Sequence, residues 1–160
     1  MMMTSYKGDI FIDTNILLRH QIRNFAEYPI IKKVVDELFD DEYRIWINWQ
    51  VIREFSAVCT RPQKFMNPLS PITISSRIST FLPMFDVADG TSAVNQALLA
   101  LMRQFPMGGK QIHDANIIAT MQVYGIRNLF TLNISDFERF GSLIHIVKID
   151  SLGNILNLPK

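Results

Sequence analysis

The stretch Asp9-Ile10-Phe11-Ile12-Asp13-Thr14 decides how the fold is read. Its centre is short, apolar and rich in β-branched and aromatic residues, the signature of a buried strand. It ends in Asp13 and Thr14, polar residues of the kind that cap a helix. Burying a carboxylate without a partner is expensive, so an acid at the end of an apolar strand asks for a reason.

Outward from there, the chain alternates. Ile30, Ile31, Val34, Val35, Leu38 and Phe39 recur at helical spacing and predict an amphipathic helix from Tyr28 to Asp41. Arg44 to Asn48 predicts a second short strand. A helix from about Gln50 to Thr60 follows, stopped by the Arg61–Pro62 step. Arg61 to Pro71 holds three prolines and no periodicity, and reads as a loop. Ile74 to Phe85 reads as a helix with Pro83 near its end. Thr91 or Ser92 caps the next, whose apolar stripe is Val94, Leu98, Leu101, Met102 and Phe105. Pro106 to Gly109 breaks it. A helix from about Ile112 to Tyr124 then ends on Gly125, a left-handed C-terminal position. Asn128 to Leu132 predicts a third strand, Ser135 and Glu138 stand in capping-box positions for a short helix, and Ile144 to Ile149 alternates into a final strand. This order predicts a three-layer α/β/α sandwich around a mostly parallel sheet. There is no internal repeat, low-complexity tract or linker.

Bulk properties narrow the class. A length of 160 residues suits one domain over residues 1–160, with its core over about 9–150. The hydrophobic fraction is 48% and the charged fraction 19%, a globular balance. With 16 basic and 15 acidic residues the net charge is +1, so a phosphate-bearing partner needs a local basic patch. The single cysteine, Cys59, excludes an internal disulfide and a Cys-based zinc site, and suits a reducing, cytoplasmic setting. Met1 to Lys7 carries no apolar signal core, and no run is long enough to span a bilayer. The three leading methionines leave the true start open.

The acids fall in a pattern. Asp13 ends the first strand, and Asp136 lies just after the Asn128–Leu132 strand. Ligands of open parallel sheets bind at the carboxyl ends of strands. Glu54 lies in the first turns of the helix after the Arg44–Asn48 strand, at the same edge. Asp114 opens a helix that follows no predicted strand, so the layout does not bring it there. Acids gathered at one edge repel one another unless a cation sits among them, and oxygen donors suit Mg2+ or Mn2+. Such an ion lowers the pKa of a bound water and stabilises charge on a phosphodiester. Acids near helix starts also favour the helix dipole, and Glu54, Asp114 and Asp136 are each equally explained that way.

At these residues the chain resembles the PIN-domain family. Phe11 to Leu18 (Phe-Ile-Asp-Thr-Asn-Ile-Leu-Leu) resembles its opening strand, and Ile52-Arg53-Glu54-Phe55 its helical glutamate. His113-Asp114-Ala115-Asn116-Ile117-Ile118-Ala119 resembles its alanine-rich helix opened by Asp. Thr131-Leu132-Asn133-Ile134-Ser135-Asp136-Phe137 resembles its last motif. Each motif alone is weak, while four in order, over about Ile10 to Ile149, are fairly specific. The resemblance implies helices around a parallel sheet and metal-dependent endoribonuclease activity. It implies Asp13, Glu54, Asp114 and Asp136 as metal-binding, catalytic acids. Asn15, Thr131 and Asn133 follow as residues orienting acids, water or substrate. Attack by a metal-activated water would leave a 3′-hydroxyl and a 5′-phosphate. Small members are commonly the toxin half of toxin–antitoxin pairs, inhibited by a partner protein and often dimeric. Residues 62–92 match a compact toxin poorly and read as an insertion around a substrate groove.

Other residues are read against plainer roles. Arg19, Arg23, Arg61, Lys64 and Lys110 are candidates for holding RNA phosphates, against a default of scattered solvated charges. His113 stands beside Asp114, and His20 and His145 have no partner at ligand spacing. Trp46 reads as core, and Trp49 as core or as a base-stacking platform. Two competing functions remain: a PIN-like scaffold or RNA-binding module with little turnover, and a magnesium-dependent phosphatase. The haloacid-dehalogenase type of phosphatase wants Asp where Asn15 stands.

Overall fold

A computed structural model describes residues 5–159, and the leading methionines lie outside the described residues. Strand β1 (Gly8–Ile12) runs through the centre, with Ile10, Phe11 and Ile12 fully buried. The Asp13 side chain accepts from the Thr14 amide and caps α1 (Thr14–Gln21), a helix for which the sequence reading had offered only the cap. Helix α2 (Tyr28–Asp40) carries Pro29 in its first turn and buries Ile31, Val34, Val35 and Leu38. Strand β2 (Tyr43–Asn48) leads into α3 (Trp49–Cys59), capped by the Asn48 side chain, which accepts from the Val51 amide at 2.9 Å.

The next stretch departs from expectation. Ser70 caps α4 (Pro71–Phe81). Leu82–Met84 then tightens into a 3₁₀ turn at Pro83, and Asp86–Ala88 forms a strand, β3. The expected helix over Ile74–Phe85 is therefore shorter at its end and starts earlier. The stretch 62–92 is not simply an insertion, because it supplies an edge strand of the sheet. Thr91 caps α5 (Ser92–Gln104). Helix α6 (Gln111–Tyr124) closes on Gly125 at φ 70°, a backbone angle that favours glycine. Strand β4 (Asn128–Phe130) precedes α7 (Ile134–Phe137), a 3₁₀ turn over Glu138–Phe140, and β5 (His145–Val147). The residue in the N-cap position of α7 is Asn133, so Ser135, inside the helix, does not cap it.

The five strands are all parallel, in the order β3-β2-β1-β4-β5. The chain steps outward on one side of β1 to β3, then crosses back to β4 on the other. Right-handed crossovers put α1–α4 on one face and α5–α7 on the opposite face. Helix α1 packs on α2 and α3, and α5 packs on α6. On the α1–α4 face, Phe55, Phe81 and Phe85 meet edge to face, with centroids 5.3 and 6.0 Å apart. The reversal of strand order falls between β1 and β4. In open parallel sheets that is where a crevice opens at the carboxyl edge.

Candidate active site

Asp13 and Thr131 flank that crevice. The Asp13 amide continues the β1–β4 pairing by donating to the Phe130 carbonyl at 3.0 Å. Asp13 is buried, and its carboxylate is fully engaged. Oδ1 accepts from the Thr14 amide at 2.7 Å, and Oδ2 accepts from the Thr131 hydroxyl at 2.8 Å and the Asn15 amide at 2.9 Å. Burial pushes its pKa up, aided by repulsion from Glu54, while these donors pull the other way. Asn15 also donates to Thr131 and accepts from the Leu132 amide at 3.0 Å, tying the start of α1 to the end of β4.

Glu54 lies on α3, about a turn and a half from its start, and both its oxygens are held. Oε2 accepts from the Thr14 hydroxyl at 2.6 Å, and Oε1 accepts from the Gln50 amide at 2.9 Å. Gln50 is itself buried. Its Nε2 also donates to the His113 carbonyl at 3.1 Å, and its Oε1 accepts from Asn116 at 2.7 Å. These partners settle the amide's orientation, since the flipped form would face oxygen with oxygen. Gln50 thus links Glu54 to the first turns of α6, which carry Asp114.

The arrival of Asp114 has a geometric cause. Gly125 turns the chain directly from α6 into β4, so α6 runs antiparallel to the strands. Its 14 residues climb about 21 Å and bring its first turn to the carboxyl edge. There Asp114 has a pKa pushed up to about 6, by burial first and then by repulsion from Asp13, Asp136 and Glu54. Arg139 partly offsets this. Asp13, Glu54 and Asp136 therefore all act on Asp114, though they come from the end of β1, from α3 and from α7. Asp136 is exposed on α7, and neither it nor Asp114 makes a side-chain hydrogen bond among the described residues.

The remaining candidates fall as follows. Thr131 is buried and receives the Asn133 amide at 3.0 Å, shaping the turn into α7. The Asn133 side chain is exposed and makes no capping bond. Arg61 and Lys64 are exposed in the loop beyond the end of α3, and no bond or ion pair joins them to the acids among the described residues. Arg19 pairs with Glu27 at 3.1 Å, and Arg23 and Lys110 are exposed. His113 is exposed and His145 bonds the Asn157 carbonyl, while His20 is buried against Asp36 at 2.9 Å. Burial pushes the Cys59 thiol up to about 11, as suits an inert core residue. Sequence reasoning passed over Thr14, Gln50, Asn116 and Arg139 as site residues. Thr14 and Asn116 stand inside the quoted motifs beside Asp13 and Asp114, and the signals for the others are the four-residue spacing from Gln50 to Glu54 and the three-residue step from Asp136 to Arg139.

The donor chemistry fits a hard divalent cation, because four carboxylates share one edge and the repulsion of Asp13, Asp136 and Glu54 raises the pKa of Asp114. Their side chains stand apart: among the described residues no three His, Cys, Asp or Glu groups converge closely enough to hold an ion.

Comparison with known proteins places this geometry. The family model of the PIN domain matches residues 10–143. Among solved structures, VapC20 of Mycobacterium tuberculosis, described as a sarcin–ricin loop cleaving toxin, superposes with a TM-score of 0.62 at 13% identity, over 85% of this chain and 96% of that one. VapBC2 of Rickettsia felis, bound to a promoter DNA fragment, gives 0.61 at 18% identity, over 88% and 99%. FitAcB of Neisseria gonorrhoeae gives 0.60 at 14% identity, over 86% and 95%. At these identities the likeness is one of fold. No curated protein sequence matches the chain.

Proposed function

This chain belongs to the PIN-domain family, and from that premise we propose that it is a metal-dependent endoribonuclease, the toxin of a toxin–antitoxin pair. The observation that carries the reading is the gathering of Asp13, Glu54, Asp114 and Asp136 at the topological switch of a parallel sheet. In this reading the four acids hold Mg2+ or Mn2+, which when bound supplies Lewis-acid stabilisation of the phosphodiester and an activated water. The chain's own residues do the positioning. Thr14, Asn15 and Thr131 fix the Asp13 carboxylate, and Thr14 and Gln50 fix that of Glu54. Asp114 and Asp136 keep free rotamers to meet cation and substrate. Asn133 at the start of α7 and Arg139 in the turn after it, whose charge acts on Asp114, are candidates for substrate contact, and Arg61 and Lys64 for a more distant stretch of phosphate backbone.

The similar solved structures include toxin–antitoxin complexes, which supports an inhibitory protein partner for this chain, and a homodimer is part of the same proposal. No helix among the described residues is long and apolar enough to cross a membrane, and a cytoplasmic site of action goes with this reading. The same reading makes residues 1–160 one domain. A second reading, an RNA-binding module with little turnover, draws on the separation of the acid side chains.

The test is incubation of the purified protein with labelled single-stranded and structured RNAs and Mn2+ or Mg2+, beside Asp136→Asn. Asp136 is exposed and unbonded, so that change spares the fold. Cleavage by the parent alone, silenced by EDTA and leaving 5′-phosphate ends, is the expected result. Silence across the RNA panel would favour the binding module, and metal-independent cleavage would remove the acid-site reading.

A further inference from the structure

Where α3 meets α5 and α6 lies a cavity of about 430 Å³, within the size range of small-ligand sites. Its lining includes Asn48, Trp49, Gln50 and Arg53 from the start of α3, Asn95 of α5 and Asn116 of α6. Two of these, Gln50 and Asn116, belong to the bonded chain that reaches Glu54, so the cavity shares a wall with the acid cluster.

Its chemistry is specific. Asn95 is exposed and makes no side-chain hydrogen bond among the described residues. Asn116 donates its side-chain amide to Gln50, leaving its side-chain Oδ1 without a donor among the described residues. Side-chain amides present a donor and an acceptor side by side, the complement of a nucleobase edge. Trp49 is 42% exposed, and its indole N–H is anchored on Asp89 Oδ1 at 3.0 Å. An aromatic ring held in place with surface left open is a stacking platform. Arg53 is exposed, has no ion pair among the described residues, and adjoins Glu54 in sequence. A simple anion is a poor occupant, because the lining carries a single cation, Arg53, and its Gln50 wall is bonded to the Glu54 carboxylate.

We propose that this pocket receives one unstacked nucleobase of the RNA strand, next to the scissile phosphate, and so sets a base preference for cleavage. Trp49 stacks on the base, Asn95 and Asn116 read its edge, and Arg53 meets the adjoining phosphate. The proposal rests on the ribonuclease reading for its substrate, while the pocket's binding is measurable without turnover.

The experiment uses the full chain with Asp136→Asn, in Mg2+, titrated with 5′-labelled RNA tetranucleotides. Each base in turn is replaced by an abasic sugar, and anisotropy reports affinity. An abasic site at one position weakens binding by roughly tenfold or more, and the other positions cost little. Adding Trp49→Ala or Asn95→Ala levels that difference, and Trp49→Phe keeps most of it. Asn95 is exposed, so its variant remains informative if Trp49→Ala fails to fold. Equal cost at every position, discrimination that survives both alanine variants, or no binding at all would overturn the proposal. Cleavage by the parent is assayed on the same RNAs. Position-specific binding without cleavage keeps the pocket and removes the nuclease. Cleavage with even binding does the reverse.

Discussion

The Thr14 hydroxyl donates to Glu54 Oε2 at 2.6 Å, while the Thr14 backbone amide donates to Asp13 Oδ1. One residue thereby fixes two acids that stand 41 positions apart in sequence on different elements. Thr14→Val keeps the shape and removes the hydroxyl. It is expected to lower stability by about 1 kcal/mol and to cut cleavage severalfold, with Thr14→Ser restoring both. Urea unfolding and single-turnover cleavage measure the two effects. An unchanged rate would show that Glu54 needs no such tether.

Gln50 extends the restraint to α6. Gln50→Met breaks three hydrogen bonds in a buried place. Turnover is expected to fall by about tenfold to a hundredfold, with KM changing less. Gln50→Glu should do more harm, because it faces a carboxylate with the Glu54 carboxylate and the His113 carbonyl. If the glutamate variant is the milder of the two in kinetics and melting temperature, the assigned amide orientation is wrong.

Asp114 is held at a cost to the metal-free fold. Its folded pKa of about 6 lies above the ordinary 3.8, so the native state binds this proton more tightly than the unfolded chain. By linkage, the associated stability is present below about 4 and is lost as pH rises through about 6. Without metal, Asp114→Asn should therefore melt higher than the parent above about pH 6, and the two curves should converge below pH 4. Added Mg2+ should narrow the gap at neutral pH by stabilising the parent. Parallel curves across the range would show that Asp114 feels no such repulsion.

His20 works in the opposite direction. Burial between α1 and α2 lowers its pKa below 6.5, opposed by Asp36. Its stability contribution is present above about 6.5 and is lost as pH falls through the folded value. His20→Gln should flatten the loss of melting temperature between about pH 7 and pH 5. An imidazole that titrates by NMR at or above the ordinary value would contradict this assignment.

The parts of this structure with strong local signals were legible in the sequence. β1 is an apolar run bounded by polar residues, α2 and α5 carry amphipathic patterns, the second with Thr91 as its cap, and the Arg61–Pro62 step marks the end of α3. β3 was not legible, because Asp86–Ala88 is too short to show a period and its status as a strand comes from pairing with β2. The capping-box spacing points to Ser135 for α7, where the structure has Asn133. Asn133 and Ser135 are both capping types, and only the Thr131 hydroxyl receiving the Asn133 amide settles the turn. The four acids were legible as residues. Their common edge was only partly so, since the place of Asp114 depends on how Gly125 folds α6 onto β4. Gln50 was invisible for another reason: a glutamine near a helix start reads as solvated until its partners are known.

The placement of β1 at the centre has a consequence in time. Its partner β4 lies far along the chain, with Ile12 facing Phe130, and Asp13 receives the Thr131 hydroxyl across 118 positions. A chain emerging from the ribosome makes Asp13 early, and beyond its neighbours Thr14 and Asn15 the Thr131 hydroxyl that completes its bonding comes only when nearly the whole sheet has been synthesised. Such distant pairings close late in folding. A half-made copy carries two of the four acids and half a crevice, so the cell meets this site only as a finished one.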